Sequence, residues 1–389
     1  MKFKSNVSII FFAVTFFILN IFLNSEVHAQ ANSLNLGIIG DSSSDEYRGT
    51  QNVAGGSQWA STTLNWVELM HNYRGINLGT WGNYSEPRRT GYEFNWARYA
   101  GTTVTMINQG QHTGLATQIA NGRINQVYMC IGTNDFAYYG DGASIYNGTL
   151  SGQALTDKIN NFIVNITTAL DTVQAADPNI PIILATAGDM SNLPYWRAAF
   201  PDPVKRQKVT NAVNQANQGI RAAASTRSHI TLVEGLDLLS YIFSRVDAQG
   251  NINIGGESIS FVSNGDEPHH GVLADNTHLG TALSALQANK VMDLIASSSG
   301  IQVSHFSDVE ILSYSGISHV TMTPQPTPTD CHNADIDQNK RVEIADYSLL
   351  VQNFLKTPFP NPRADIDGNG RVDLRDYSIL VANFFHDCL

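Results

Sequence analysis

The chain has 389 residues, 42% of them hydrophobic and 15% charged, with a formal charge of -11 at pH 7. That much apolar material excludes a disordered chain, and the length suits about two to three domains. The acidic balance has no Lys/Arg cluster to offset it and excludes nucleic acid and anionic membranes as partners.

Met1–Ala29 carries Lys2 and Lys4, a mostly apolar run from Val7 to Leu23, and Val27-His28-Ala29. These are the parts of a secretory signal peptide cleaved after Ala29, with an uncleaved anchor as the alternative because the run is nearly long enough to span a bilayer. A secreted, extracellular protein is therefore expected, with no membrane contact after cleavage. Next, Leu36-Gly37-Ile38-Ile39 reads as a strand running into Gly40-Asp41-Ser42. A tight turn there leaves Ser42 at the sheet edge beside free N–H groups, where a serine can act as nucleophile once a base arrives. The same tripeptide is also what an ordinary turn and helix N-cap look like.

A helix is expected from about Trp59 to Tyr73, with Leu64, Val67 and Leu69 among its apolar positions. Asn77–Tyr99 reads as a long loop whose Trp81, Tyr84, Arg88, Arg89, Tyr92 and Trp96 would line a sugar groove with His112, or else pack the loop onto the domain. Thr103–Ile107 is β-branched and reads as a strand, followed by a turn through Gly110 into a short helix. Gln126–Ile131 is a further strand holding Cys130 as a buried, inert thiol and ending in Gly132-Thr133-Asn134-Asp135. Helices over Gln153–Ala176, Pro203–Ala224 and Thr281–Ser297 alternate with strands over Ile180–Ala187 and His229–Glu234. This alternation predicts a parallel sheet covered on both faces, with ligands at the carboxyl ends of its strands. Ser42, Gly110 and Asn134 would share that edge.

Asp275-Asn276-Thr277-His278 precedes the final helix of this stretch. The spacing puts the carboxylate beside Nδ1–H, which fixes the tautomer and leaves Nε2 free to take a serine proton. Ile301–Val320 reads as extra extended structure of unassigned role, and Thr323–Thr329 as a stiff Pro/Thr linker.

Gly40-Asp41-Ser42, Gly110 in Asn108-Gln109-Gly110, Gly132-Thr133-Asn134-Asp135 and Asp275-Asn276-Thr277-His278 together resemble, in order, the four blocks of the SGNH (GDSL-type) hydrolases. The resemblance covers about Asn35 to Ser297 and implies a flavodoxin-like three-layer α/β/α fold. It implies Ser42 as nucleophile, His278 as base, Asp275 as its orienter, and an oxyanion hole from the N–H groups of Ser42 and Gly110 with the Asn134 side chain. Leu279-Gly280 follows His278 where the family often has proline, a departure that bears on local shape.

Ala334–Glu343 recurs as Ala364–Asp373, thirty positions on, and each copy continues into an apolar helical stretch. Oxygen side chains at loop positions 1, 3, 5, 9 and 12 suit calcium. The pair resembles a dockerin domain over nearly all of Asp330–Leu389. This implies two Ca²⁺ ions, one held by Asp335, Asp337, Asn339 and Asp346, the other by Asp365, Asp367, Asn369 and Asp376. Arg341 and Arg371 stand at the main-chain ligand position 7, and Glu343 and Asp373 contribute directly or through water. Lys340 departs from the glycine favoured at position 6, so the first site is expected to be the weaker. A cohesin module is the implied partner, although Ile344-Ala345 and Leu374-Arg375 replace the frequent Ser-Thr at its recognition positions. Cys331 and Cys388 bracket the segment as a candidate disulfide in an exported protein.

The expected organisation is a signal peptide at 1–29, a hydrolase domain at 30–320, a linker at 321–330 and an all-α dockerin-like domain at 331–389. The expected activity is a secreted serine esterase that removes acetyl or other acyl groups from polysaccharide. A lipid acyl hydrolase and a non-catalytic carbohydrate-binding or scaffold-attached module are the alternatives.

Overall fold

The computed structural model describes residues 34–48, 63–84, 90–192, 196–317, 331, 333–356, 358–384 and 388. The expected signal peptide, Arg88, Arg89 and the Pro/Thr linker lie outside them. The chain divides into two compact units, Met1–Ser318 and His319–Leu389.

The larger unit is built on four parallel strands, β1 (Leu36–Gly40), β4 (Gln126–Cys130), β5 (Ile182–Ala185) and β6 (Ile230–Val233), paired in that order. Alternate side chains serve opposite faces. Ile38, Tyr128 and Ile183 pack with α1 (Trp66–Arg74) and α8 (Thr281–Ser299), through Trp66, Leu69, Leu286 and Ile295. Ile39, Met129 and Leu184 pack with α3 (Gln111–Ala120), α5 (Gly152–Ala176) and α6 (Pro203–Ser225), through Leu115, Phe162, Leu170 and Ile220. Burial on both faces is why β1 and β5 carry only apolar residues and glycine, whereas the less buried β6 admits Thr231. The result is the expected α/β fold in three layers.

Local chemistry sets the helix ends. Asn65 caps α1 through a capping box with Glu68, and Asp202 caps α6 ahead of Pro203 at its first turn.

Three expectations need correction. Thr103–Ile107 is not a strand but lies in helix α2 (Thr103–Asn108). The Thr102 and Thr105 side chains form a reciprocal cap, and Asp135 accepts hydrogen bonds from the Thr103 N–H and hydroxyl at 2.9 and 2.7 Å. These bonds outweigh the modest β preference of the run. Residues 77–99 are not a plain loop: β2 (Trp81–Asn83) and β3 (Thr90–Tyr92) pair antiparallel, and Asn77 and Phe94 carbonyls accept from the Leu36 and Ile38 N–H groups, covering the free edge of β1. Residues 301–317 contain a helix, α9 (Asp308–Tyr314), capped by Ser307 and Glu310. Phe306, Ile311 and Leu312 complete the core over α8, and the Arg74 guanidinium binds Glu310 and the carbonyls of Ser304 and His305.

The shorter helices α4 (Ala143–Asn147) and α7 (Ser240–Phe243) fill corners of this frame. A third sheet, β7 (Asn251–Ile254), β8 (Glu257–Asn264) and β9 (His270–Val272), was not anticipated and leads directly into the Asp275–His278 turn. Among the described residues no helix is long and apolar enough to cross a membrane.

The smaller unit contains helices α10 (Ile344–Asn353) and α11 (Leu374–Ala382), each preceded by an acidic loop. Its core repeats with the sequence: Ala334, Ile336, Val342 and Leu350 are matched by Ala364, Ile366, Val372 and Leu380. Cys331 and Cys388 form a disulfide with Cα atoms 5.5 Å apart.

Candidate active site

Ser42 follows β1 in a turn where the Asp41 carbonyl accepts the N–H groups of Ser44 and Asp45 at 3.0 Å. The Asp41 carboxylate accepts from the Ser43 N–H and hydroxyl, so it braces the turn, and its burial pushes that carboxyl upward. Ser42 is 8% exposed, and its N–H has no acceptor among the described residues.

His278 Nε2 lies 2.7 Å from Ser42 Oγ, and its Nδ1 lies 2.6 Å from Asp275 Oδ2. The other oxygen of Asp275 accepts the N–H groups of Thr277 and His278, each at 2.9 Å. One carboxylate oxygen therefore builds the turn while the other holds the imidazole. Asn276 takes φ 62° in that turn, a conformation asparagine tolerates better than most residues. The turn is anchored to β9 by Leu273 N–H on the His278 carbonyl and Gly280 N–H on the Gly271 carbonyl. Burial pulls the Asp275 carboxyl upward, but the hydrogen bond and charge of His278, with the two N–H donors, outweigh it and hold it below the ordinary value. Tyr47 meets the imidazole edge-on at 6.1 Å and donates its hydroxyl to the Leu279 carbonyl.

Asn134 is buried close by. Its Nδ2 donates to the Gly101 carbonyl at 2.9 Å, which leaves the second hydrogen of that amide for another acceptor, and its Oδ1 accepts the Tyr139 hydroxyl at 2.6 Å. Together these bonds fix the amide's orientation. Sequence reasoning missed Tyr139, and only its closeness to Asn134 in the chain hinted at it.

Gly110 does not join this group. It caps α3, its N–H donates to the Ile107 carbonyl at 3.1 Å, and it is absent from the cavity lining. Gly101 stands at the serine turn instead: a Cβ added to it would lie 3.1 Å from the Gly40 carbonyl and 3.4 Å from Asp41 Cα. Its own N–H is used by the Arg98 carbonyl. Both glycine N–H groups are thus spent in local turns in this structure.

A cavity of about 190 Å³ opens at Ser42, Asn134 and His278. Cys130 lines it as a free thiol that burial pushes up to about 12, so it stays protonated near neutral pH. The described members of the expected sugar groove lie elsewhere and mostly pack. Tyr92 is buried against Trp81 at 5.0 Å, Trp96 Nε1 donates to Gln118 while its ring covers Gly114, and His112 is buried with its pKa lowered by desolvation. Tyr84 donates to the Thr80 carbonyl.

In the smaller unit, carboxylate oxygens of Asp335, Asp337 and Asp346 lie within 4.8 Å of one another, as do those of Asp365, Asp367 and Asp376. Asn339 and Asn369 stand beside them, donating to Asp337 and Asp367. Such hard oxygen donors, converging within one loop, fit calcium. Asp346 and Asp376 are fully buried and accept the N–H groups of Ile336 and Ile366 at 2.7 Å, which ties each loop to its helix. Arg341 and Arg371 donate their N–H groups to Asn339 and Asn369, while Glu343 and Asp373 begin the helices as caps. At position 6, Gly370 takes φ 85° and Lys340 takes φ 71°; at position 4, Gly368 takes 69° and Gln338 takes 66°. The first loop thus holds two side chains in the left-handed region where the second has glycines.

Residues 325–384 match the family described as Dockerin type I domain, so the smaller unit carries a dockerin domain. No curated protein sequence matches the chain. Among solved structures, a carbohydrate esterase family 3 protein from Talaromyces cellulolyticus is 13% identical, covering 68% of this chain and 100% of its own, with a TM-score of 0.34. A family 3 carbohydrate esterase from Clostridium thermocellum is 14% identical over 68% of this chain and 98% of its own, at a TM-score of 0.30. An acetyl xylan esterase from Geobacillus stearothermophilus is 13% identical over 70% and 97%, at 0.35. Likenesses this distant say nothing about this chain's chemistry.

Proposed function

We propose that the larger unit is a serine carboxylic ester hydrolase of SGNH type, acting on acylated polysaccharide. The observation that carries the reading is the continuous chain from Asp275 Oδ2 through His278 to Ser42 Oγ, at 2.6 and 2.7 Å. In this mechanism Ser42 Oγ attacks the ester carbonyl as His278 Nε2 takes its proton, and Asp275 stabilises the imidazolium that forms. The oxyanion accepts from the Ser42 N–H and the second Asn134 Nδ2 hydrogen; such a donor typically contributes about 3 to 4 kcal/mol to the transition state. His278 then returns the proton to the leaving alcohol, and water attacking by the same route releases the acid.

The dockerin domain supports attachment to a cohesin module and hence an extracellular setting after cleavage at Ala29. On this reading the enzyme domain is 30–320, the linker 321–330 and the attachment domain 331–389. Two Ca²⁺ ions would be held by the side chains of Asp335, Asp337, Asn339 and Asp346, and of Asp365, Asp367, Asn369 and Asp376. The main chain of Arg341 and Arg371 and the side chains of Glu343 and Asp373 would complete the two sets. Ile344 and Leu374, 67% and 70% exposed at the two helix starts, are surfaces for the cohesin. Polysaccharide as substrate rests on this association and on no contact in the site.

The test is release of acid from a panel of acylated polysaccharides by the full chain and by Ser42→Ala. Loss of release in the variant supports the reading. Release that survives removes Ser42 as nucleophile, and glycan binding without hydrolysis of any ester favours a binding module.

A further inference from the structure

The esterase reading leaves open which acyl group the enzyme takes, and the cavity at Ser42 bears on that. From the serine it reaches Met190, the turn after β6 at Leu236, Leu238 and Leu239, Phe261 of β8, and Val272 of β9. Its polar groups are largely spent within the protein. The Thr186 hydroxyl donates to Glu234 and accepts from the Gly235 N–H, Asp189 accepts from Ser191 and Thr210, and the Thr133 hydroxyl accepts from the Gly188 N–H. Gln287 of α8 leaves one amide on the wall and the exposed Asn276 a second in the catalytic turn, where the Thr277 hydroxyl donates to the Asp275 carbonyl. That is too little for a sugar ring, whose several hydroxyls would be buried unpaired at a cost of a few kcal/mol each. The alcohol side of the ester therefore stays outside, and the acyl side is what the cavity fits.

Size then narrows the acyl group. An apolar cavity of about 150 Å³ accommodates a benzene molecule. The cavity here is about 190 Å³ and open to solvent, and the methyl of an acetyl group would cover little of its apolar wall, leaving the rest against water.

We propose that this cavity is an acyl site for chains of about four to six carbons, longer than the acetyl group first expected. The proposal rests on the esterase reading, with the ester carbonyl at Ser42 Oγ and the chain lying along Leu238, Leu239 and Phe261. Each methylene it buries raises kcat/KM by about fourfold.

The experiment measures kcat/KM of the full chain for p-nitrophenyl acetate, butyrate, hexanoate and decanoate, each normalised to its rate with hydroxide. The expected series rises by on the order of 10² from acetate to hexanoate and then levels or falls. Acetate turned over as well as butyrate and hexanoate overturns the proposal. Leu239→Trp narrows the cavity and lowers the hexanoate-to-acetate ratio at least about tenfold. Should that variant misfold, Leu236→Trp, at a half-exposed rim position, serves the same comparison. An unchanged ratio in a folded variant refutes the location. No hydrolysis of any ester removes the esterase reading itself, and the acyl site with it.

Discussion

Replacing Tyr139 by Phe removes the hydroxyl that donates to Asn134 Oδ1 over 2.6 Å and keeps the ring that meets Trp196 edge-on at 5.8 Å. The Asn134 amide is then held by the Gly101 carbonyl alone. A hydrogen bond of this kind is worth about 0.5 to 1.5 kcal/mol, so kcat falls roughly 2- to 13-fold if the bond's only service is to aim the oxyanion donor. KM stays nearly constant, because the oxyanion develops after substrate has bound. Asn134→Ala, which removes the donor outright, lowers kcat by about 10² to 10³. The decisive measurement is the double variant. With the amide gone, Tyr139→Phe has nothing left to position, and the double variant is as fast as Asn134→Ala alone. Steady-state kinetics on one p-nitrophenyl ester across the four proteins supply the cycle. A Tyr139→Phe effect that appears in KM, or that persists undiminished without Asn134, refutes the positioning role.

Burial raises the Glu68 carboxyl from an ordinary 4.5 to about 7, against the N–H groups of Asn65, Arg48 and Tyr47 that it accepts. The folded state therefore keeps a proton that the unfolded chain releases, so this group's contribution to stability is full below about pH 4.5 and declines by about 3 kcal/mol as pH rises to 7. Urea midpoints of the larger unit at those two pH values differ by less in Glu68→Gln; an identical difference contradicts the assignment. Lys340→Gly relieves a left-handed side chain that costs about 1 to 2 kcal/mol, and calorimetry then shows the weaker of two Ca²⁺ sites strengthened by roughly tenfold. Two equal sites before the substitution would show that the strain has no bearing on affinity.

What the sequence discloses follows the range of the interactions involved. The Asp275–His278 turn and the acidic loops of the smaller unit are legible because each is assembled from side chains a few residues apart, where spacing alone decides what can meet. The sheet is legible for a different reason: a strand covered on both faces, such as Ile182–Ala185, must be apolar at every position. Thr103–Ile107 misleads because its β-branched residues are answered by Asp135, a partner far along the chain that no local propensity contains. The expectation for Gly110 fails in the same way, with Gly101 standing at the serine turn. Both are glycines ahead of helices, and what separates them is the approach of one to Gly40 and Asp41 and its carbonyl's bond to Asn134. The cavity is the extreme case. Met190, Leu238, Phe261 and Val272 each read as ordinary core residues, and only the folded chain shows that they line one cavity with Ser42. On the proposed reading the reaction is written locally, in a serine turn and an Asp-x-x-His turn, whereas the acyl group would be set by distant side chains, and substitutions at those positions would change specificity without disturbing any motif.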